Sequence, residues 1–161
     1  MAAPLLARLR TWLRIKLMSI RTFYLAKAWG MDIGRDCCIS FSARLDKTHP
    51  RGIHIGDETA INFDAVILTH EAVNNRALDT WIGKRCQIGA RSIVMPGVRI
   101  GDGSIVSPAS VVIKDVPAGS LVTGNPARVI EAGLQTGPHG RRAESWEVIV
   151  AAENAARARK A

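Results

Sequence analysis

A six-residue spacing of aliphatic side chains constrains this sequence more than any other feature. Each unit places one Ile, Leu or Val, and most units continue with a glycine or another small residue. A period of six fits neither the 3.6-residue repeat of a helix nor the alternation of a simple strand. It predicts a short strand followed by a turn, repeated many times. The aliphatic positions form three runs: Ile33, Ile39, Leu45; Ile55, Ile61, Ile67; and Ile82, Ile88, Val94, Ile100, Val106, Val112.

Stacked coils are the structure that such a repeat predicts. The aliphatic side chain points inward, and the small residue after it allows a corner at which positive φ is needed. The fifth residue of each unit is small or branched, as in Cys86, Ser92 and Val98, because it also points into a narrow interior. Three units make one triangular coil, and coils stack at the strand spacing of roughly 4.8 Å. The repeat therefore predicts about four coils.

The composition is compatible with one folded domain. The chain has 161 residues, of which 47% are hydrophobic but only 5% aromatic, so the core must be built from aliphatic side chains. The formal charge of +8 suits an anionic partner such as nucleic acid, a phosphorylated cofactor or a membrane surface. Aromatic side chains are not interleaved with the basic residues, and this argues against a nucleic-acid partner.

The cysteines and the apolar runs bear on the compartment. Cys37, Cys38 and Cys86 cannot all pair within one chain, which favours a reducing environment. No apolar run reaches the roughly 18 residues of a membrane span, and no signal-peptide core precedes a cleavage site. We therefore predict a cytoplasmic protein, with the inner face of the membrane as a second location.

One long segment carries a resemblance to a known family. The sequence "CQIGARSIVMPGVRIGDGSIVSPASVVIKDVPAGSLVTGNPARVI" closely resembles the hexapeptide-repeat acyltransferases, which include the maltose and galactoside acetyltransferases, serine acetyltransferase and the xenobiotic acetyltransferases. The resemblance covers about residues 30–130 and is nearest to the small sugar O-acetyltransferases of polysaccharide gene clusters. It implies an all-β fold, the left-handed parallel β-helix, with acetyl-CoA as co-substrate and homotrimers whose sites lie between two subunits. The left hand comes from the resemblance alone, because the hexad spacing does not set it.

Three segments are expected on this basis. They are an N-terminal basic amphipathic helical arm over residues 1–29, the hexapeptide-repeat domain over 30–131 with an excursion loop at 70–81, and a linker with a C-terminal helix over 132–161. Residues 137–140 are interpreted as a hinge before that helix. In the arm, one helical stripe contains Leu5, Leu9, Trp12, Leu13, Leu17, Ile20 and Tyr24. The stripe predicts a helix that caps the first coil, and a basic helix on an anionic membrane is the alternative.

The repeat breaks in "AVILTHEAVNNRALDTWIG", which places His70 at the edge of an insertion. Insertions in coiled repeats form loops on one face, often the binding face. A neutral imidazole can accept a proton at cytoplasmic pH. The stretch "ILTHE" is similar to the family's I-x-T-H-D pattern, and this resemblance implies that His70 is the general base that activates an acceptor hydroxyl. The alternative from the residues alone is a surface histidine on a mobile loop.

Several residues near the break are candidate partners of this base. A carboxylate commonly orients a catalytic imidazole, and Asp46 and Glu71 are the candidates that we favour, with Asp57 and Asp64 also open. Asn62 and Thr69 could hydrogen-bond an acceptor hydroxyl. Trp81 either stacks on a sugar ring or covers the base of the loop.

The resemblance also implies a coenzyme A site between neighbouring coils. Ala90 matches a corner whose backbone N–H binds the pantetheine arm. Pro108 occupies the second such corner and has no N–H, so Ser107 or Ala109 is expected to supply that contact. Ile113 replaces a threonine of the family pattern. The phosphates and adenine are expected against Lys114, Asn125, Pro126 and Arg128, where cations suit phosphate oxygens.

Two other functions are compatible with the sequence. The γ-class carbonic anhydrases share the fold and bind zinc with three histidines, and His49 and His54 have the five-residue gap of two such ligands. In that class the isolated histidine precedes the pair, whereas His70 follows it, and we therefore expect no metal. A non-catalytic solenoid whose loop binds a protein partner is the other alternative. The favoured prediction is an acetyl-CoA-dependent O-acetyltransferase that acts on a sugar or glycan precursor without an acyl-enzyme.

Overall fold

The repeat forms a three-sided coil of short parallel strands. The computed structural model describes residues 5–142 and residue 151. Successive strands pass in turn to three sheets, here called A, B and C, and each strand pairs with the strand one coil further on. Sheet A contains β1 (Asp32–Ile33), β4 (Ile53–Ile55), β9 (Thr80–Ile82) and β12 (Arg99–Ile100); sheet B contains β2 (Cys38–Ile39), β5 (Ala60–Ile61), β10 (Gln87–Ile88), β13 (Ile105–Val106), β15 (Leu121–Gly124) and β16 (Ala127–Glu131); sheet C contains β3 (Arg44–Leu45), β6 (Val66–Ile67), β11 (Ile93–Val94) and β14 (Val111–Val112).

The parallel register keeps equivalent hexad positions on top of one another. Ile39, Ile61 and Ile88 pair from coil to coil in sheet B, and the same alignment recurs in sheets A and C. Sheet B ends in the antiparallel pair β15 and β16. We name the edge where the chain turns from sheet B to sheet C the B/C edge, and use C/A edge and A/B edge in the same way.

The core confirms the hexad prediction. The aliphatic positions from Ile39 to Val112 are at most 6% exposed, and Ile33 in the first coil is half-buried. The fifth positions are buried as well; these are Cys86, Ser92, Val98, Ser104, Ser110 and Val116. The buried hydroxyls keep hydrogen-bond partners, since Ser92 Oγ donates to the Gly89 carbonyl at 2.6 Å and Ser104 Oγ donates to the Pro117 carbonyl at 2.9 Å.

The glycine that follows the aliphatic residue serves close packing and not positive φ. We expected it to adopt positive φ at the corner, yet Gly56, Gly83 and Gly89 are not among the residues with positive φ. A Cβ atom added to Gly56 would lie 2.7 Å from the backbone of Gly83 in the next coil. Positive φ instead falls two residues further on, and six of these positions are not glycine: Asp36, Glu58, Asp64, Arg85, Arg91 and Ala109.

Helix α1 (Leu5–Ala28) caps the first coil, but with a different face from the predicted one. Met18 and Leu25 are buried against the solenoid. Arg21 donates to the carbonyls of Ser40 and Ala43 at 2.7 and 2.8 Å, which satisfies acceptors at the open end of the coil. The stripe that the sequence assigned to the cap faces outward: its members Leu9, Trp12, Leu13, Leu17, Ile20 and Tyr24 are exposed.

The segment after the last coil is a strap along the A/B edge and not a free linker. The backbone N–H of Leu134 donates to the Gly119 carbonyl at 2.7 Å, and Thr136 Oγ1 donates to the Arg85 carbonyl at 3.1 Å. The backbone N–H of His139 donates to the backbone carbonyl of Glu58 at 2.6 Å. These partners belong to successively earlier coils, so the chain returns towards α1. The predicted hinge at residues 137–140 is part of this strap and contains the short 3-10 helix Pro138–Gly140.

The predicted C-terminal helix falls outside the described residues, apart from residue 151. Among the helices described, none combines the length and the hydropathy that crossing a bilayer demands.

Candidate active site

The break in the repeat forms a hairpin at the C/A edge of the second coil. Strands β7 (His70–Glu71) and β8 (Arg76–Ala77) pair antiparallel, with His70 opposite Ala77. The base is closed by the N–H of Leu78, which donates to the Thr69 carbonyl at 2.8 Å, and by Thr80 Oγ1, which donates to the Leu68 carbonyl at 2.6 Å. The insertion therefore leaves the coil and returns to it at one fixed point.

The imidazole of His70 lies half-buried against the tip of this hairpin. Its Nε2 is 3.0 Å from Oδ1 of Asn75. An amide oxygen accepts but cannot donate, so this contact is a hydrogen bond when the proton of the neutral ring is on Nε2, and Nδ1 then carries the lone pair. The backbone of Asn75 has a φ of 48°, a left-handed conformation in which Asn is enriched. Asn75 was not predicted from the sequence, in which its one signal is the Asn74–Asn75 pair typical of a turn.

Asp46 holds the backbone of His70 and does not contact its ring. Its carboxylate accepts from the backbone N–H groups of Thr48 at 2.8 Å, Thr69 at 3.1 Å and His70 at 3.0 Å. Burial acts to raise the pKa of Asp46, but these hydrogen bonds together outweigh it and hold the pKa below its ordinary value. Asp46, which we predicted to orient the imidazole, therefore binds backbone N–H groups and not the ring.

Glu71, the second predicted partner, turns along the hairpin. Its carboxylate accepts from Arg76 Nη2 at 2.7 Å and Arg76 Nε at 3.0 Å, and it also accepts from the Asn74 amide. The hydrogen bonds from Arg76 lower the pKa of Glu71 against the opposing effect of desolvation. This pair ties the two strands of the hairpin together and leaves the ring of His70 to Asn75.

The predicted acceptor-binding residues do not converge on His70. Thr69 is fully buried, and its Oγ1 donates to the His49 carbonyl at 2.8 Å. Asn62 follows β5 and lies at the B/C edge, across sheet C from His70. Thr69 is thus a structural residue at the base of the hairpin, and Asn62 is too far across sheet C to contact His70 of the same chain.

Both ring faces of Trp81 are covered. The His54 imidazole stacks on one face, with ring centroids 3.6 Å apart and planes 5° apart. The Arg99 guanidinium lies 5.0 Å from the centroid of the indole ring. These residues are aligned by the parallel register of sheet A. Of the two predicted roles, the structure favours packing over stacking on a sugar ring.

The predicted coenzyme-binding corners stack along the B/C edge. Ala90 follows β10, and Ser107 and Ala109 follow β13. The N–H of Ala109 donates to the Ala90 carbonyl at 2.9 Å and the N–H of Ser107 donates to the Val122 carbonyl at 2.9 Å. The two N–H groups that were the alternatives at the Pro108 corner therefore serve contacts between coils, and the predicted coenzyme contacts stay a prediction.

The predicted phosphate and adenine residues lie near the end of the solenoid that is remote from α1. Lys114 is exposed after β14, at the C/A edge of the fourth coil. Asn125 and Pro126 form the exposed turn between β15 and β16, and Arg128 is exposed on β16. Within one chain, His70 and the corners with Ala90 and Ala109 occupy opposite edges of sheet C.

The two histidines with zinc-like spacing are paired with carboxylates. His49 Nε2 is 3.0 Å from Asp79 Oδ1, and His54 Nδ1 is 3.1 Å from Asp32 Oδ2. His54 Nε2 is 3.8 Å from the second oxygen of Asp79. Within the part of the chain that the structure describes, no three His, Cys, Asp or Glu side chains are grouped to hold a metal ion.

Comparisons with known proteins agree with this architecture. The family model described as "Bacterial transferase hexapeptide (six repeats)" matches residues 79–114. The putative acetyltransferase YvoF of Bacillus subtilis (strain 168) is 33% identical over 135 residues, which cover 79% of this chain and 78% of that protein.

Solved structures of acetyltransferases share the fold. A maltose O-acetyltransferase from Clostridium difficile 630 aligns with a TM-score of 0.53 and 25% identity, over 70% of this chain and 74% of that one. A hexapeptide-repeat acetyltransferase from Vibrio cholerae O1 biovar eltor, complexed with acetyl coenzyme A, aligns with a TM-score of 0.53 and 25% identity, over 71% of this chain and 76% of that one.

Proposed function

The chain belongs to the bacterial hexapeptide-repeat transferases, whose named relatives are acetyltransferases, and from this we propose that it transfers the acetyl group of acetyl-CoA to a hydroxyl of a sugar or glycan precursor. The observation that carries the proposal is His70. It stands on the hairpin of β7 and β8, which interrupts the repeat, and its Nε2 lies 3.0 Å from the amide oxygen of Asn75; we assign Nδ1 as the proton acceptor. The left-handed coil typical of the family and a C-terminal helix are parts of the same proposal.

The chemistry is a direct transfer within a ternary complex. Nδ1 of His70 takes the proton of the acceptor hydroxyl as its oxygen bonds to the thioester carbonyl carbon. The carbon–sulfur bond then breaks, and the imidazolium returns the proton to the sulfur of CoA. An acyl-enzyme on Cys37 or Cys86 is disfavoured, because burial raises the pKa of each thiol to about 11.

The position of the two half-sites supports a homotrimer. His70 lies at one edge of sheet C, and the corners with Asn62, Ala90 and Ala109 lie at the other. A site that needs both edges is completed when the C/A edge of one subunit faces the B/C edge of the next. In that arrangement Asn62 is available to bind the acceptor from across the interface.

Coenzyme A is expected to run along the B/C edge towards β16. The N–H groups of Ser107 and Ala109 are already used, so the pantetheine arm is left to the N–H of Ala90 and the hydroxyl of Ser107. Arg128 and the turn at Asn125 and Pro126 suit the phosphates and the adenine, and Lys114 reaches them from the C/A edge of the neighbouring subunit.

The cellular location is part of the proposal. Free thiols at Cys37, Cys38 and Cys86 suit the reducing cytoplasm. The cytoplasm also supplies an anionic membrane face within reach of the basic helix α1, and we include a peripheral contact with this face.

Thiol release from acetyl-CoA, measured with a panel of sugar acceptors, tests the catalytic assignment. His70→Ala is expected to lower kcat by about 10²- to 10⁴-fold, which is the range of general-base contributions. His139→Ala is the matched control, because His139 lies in the strap and contacts the Asp36 carbonyl. Near-full activity of His70→Ala would overturn the assignment.

Calorimetric titration with acetyl-CoA separates the remaining functions. We expect the wild type to bind acetyl-CoA and His70→Ala to bind it with similar affinity. A wild-type chain that neither binds acetyl-CoA nor releases thiol would be a structural solenoid, and an activity that requires added zinc would identify a metal enzyme. A stable monomer in sedimentation equilibrium would contradict the shared site.

A further inference from the structure

The outward face of α1 is an apolar stripe with no described residue covering it. Leu9, Trp12, Leu13, Ile20, Phe23 and Tyr24 are each between 50% and 65% exposed. The solenoid packs on the opposite face, through Met18 and Leu25. A large apolar face that a protein leaves exposed marks a site of association.

The charges of α1 identify the partner. The helix contains six basic residues and no acidic residue: Arg8, Arg10, Arg14, Lys16, Arg21 and Lys27. Lys16 and Lys27 fall within the apolar stripe, in the spacing Leu9, Leu13, Lys16, Ile20, Phe23, Lys27. A lysine in that position can lay its alkyl stem along an apolar phase while its ammonium group reaches an anionic surface.

We propose that this outward face docks the protein on an anionic lipid bilayer, with α1 lying in the plane of the interface. The 24 residues of the helix span about 36 Å, and aliphatic side chains along that length enter the acyl region. Trp12 and Tyr24 are amphipathic rings of the kind that settle at the level of the headgroups. The cations meet the lipid phosphates.

Other occupants of the face fit these features less well. A second copy of α1 would bring six further cations against the first six, and it would bury Lys16 and Lys27 without counter-charges. The C-terminal segment beyond residue 142 has its large apolar residues, Trp146, Val148, Ile149 and Val150, within five positions. Even a fully extended run of five residues reaches only about 18 Å and cannot cover a stripe of about 36 Å.

Docking in this orientation places the active site close to the membrane. Helix α1 contacts β1 and β2 of the first coil, and His70 lies in the second coil. Coils are separated by about 4.8 Å, so His70 is about one coil below the capped end. The docking surface is independent of acetyl transfer, and its test does not depend on activity.

Co-sedimentation with lipid vesicles tests the proposal on the full chain. The wild type is expected to bind vesicles of phosphatidylglycerol and phosphatidylcholine, and to bind pure phosphatidylcholine at least tenfold more weakly. Binding to the anionic vesicles is expected to weaken as salt rises. The double variant Ile20→Glu/Phe23→Glu is expected to lose at least tenfold in affinity, and Lys16→Gln about fivefold.

The control variant is Ile130→Glu, which places the same acid at an exposed apolar residue of β16, 60% exposed and at the other end of the solenoid. It is expected to bind vesicles like the wild type. Circular dichroism and acetyl-CoA titration establish that each variant is folded. Equal vesicle binding by Ile20→Glu/Phe23→Glu and the wild type would overturn the proposal. So would a wild type that does not bind anionic vesicles, and a fall in oligomer mass in that variant would then identify the face as an interface between copies.

Discussion

Asp46→Asn tests whether the placement of His70 depends on a carboxylate that does not contact its ring. The carboxylate accepts the N–H groups of Thr69 and His70 at 3.1 and 3.0 Å. Hydrogen bonds to a charged group contribute about 1.5–3 kcal/mol each, and neutral ones about 1 kcal/mol. Losing the charge at two such bonds therefore costs about 2 kcal/mol. If the whole of this free energy is lost from the transition state because His70 is displaced, kcat/KM falls about thirtyfold.

The pH dependence distinguishes this positioning role from a direct contact with the imidazole. Because the folded pKa of Asp46 is lowered, its contribution to the free energy of unfolding is present above the ordinary carboxyl pKa of about 3.9 and is lost as the pH falls through the lower folded pKa. Asp46→Asn is therefore expected to destabilise the protein at pH 7, and the difference from the wild type is expected to be smaller at about pH 3. The midpoint of the profile of kcat/KM against pH is expected to match that of the wild type.

Urea unfolding at both pH values and thiol-release kinetics across pH supply the measurements. Asp102→Asn is the matched control, because Asp102 accepts one backbone N–H, that of Lys84 at 2.8 Å, far from the hairpin. It is expected to lower stability slightly and to keep kcat/KM. Wild-type kcat/KM in Asp46→Asn would refute the positioning argument, and a shift of a full unit in the kinetic pKa would show that the carboxylate acts on the ring.

Three further substitutions or modifications probe the repeat and the stacked face. Gly56→Ala is expected to lose at least about 2 kcal/mol in urea unfolding because its Cβ would lie 2.7 Å from Gly83 backbone, and a loss below 1 kcal/mol would contradict close packing. Cys86, whose pKa burial raises to about 11, is expected to react with iodoacetamide at pH 8 at least about a hundredfold more slowly than in the denatured chain, as measured by mass spectrometry. Trp81→Leu is expected to lose about 1–2 kcal/mol of stability with its stacking partners while KM for the acceptor stays unchanged; a raised KM would restore the sugar-stacking role.

The regular coils could be predicted from the sequence because each hexad repeats the same local burial. Ile61 and Ile88 point inward for the same reason, and the parallel register follows once units of equal length are stacked. The glycine role could not be predicted in this way. Gly56 is constrained by the backbone of the next coil, and contacts between coils depend on a register that a single unit does not contain.

The packing face of α1 and the residues that hold His70 could be predicted only in part from the sequence. In α1 the larger apolar stripe was assigned to the solenoid, whereas the end of a narrow coil needs few apolar contacts and offers backbone carbonyls, to which Arg21 donates. His70 was identified because it interrupts a repeat and matches a family pattern. The contacts of Asn75 and Asp46 depend on how the hairpin folds back onto the coil. A repeat pattern in the sequence contains no information on that fold.

The polar residues around the break explain how an irregular loop can hold the imidazole of His70 in place. An insertion in a solenoid removes the contacts between coils that fix a regular corner. Here Asp46 fixes the start of the hairpin by accepting the N–H groups of Thr69 and His70. The buried Thr80 fixes its end, where Oγ1 donates to the Leu68 carbonyl at 2.6 Å. The Glu71 and Arg76 pair joins the two strands. Each of these residues replaces a contact that the hexad would have supplied, so the hairpin can project from the C/A edge while the ring of His70 keeps one orientation.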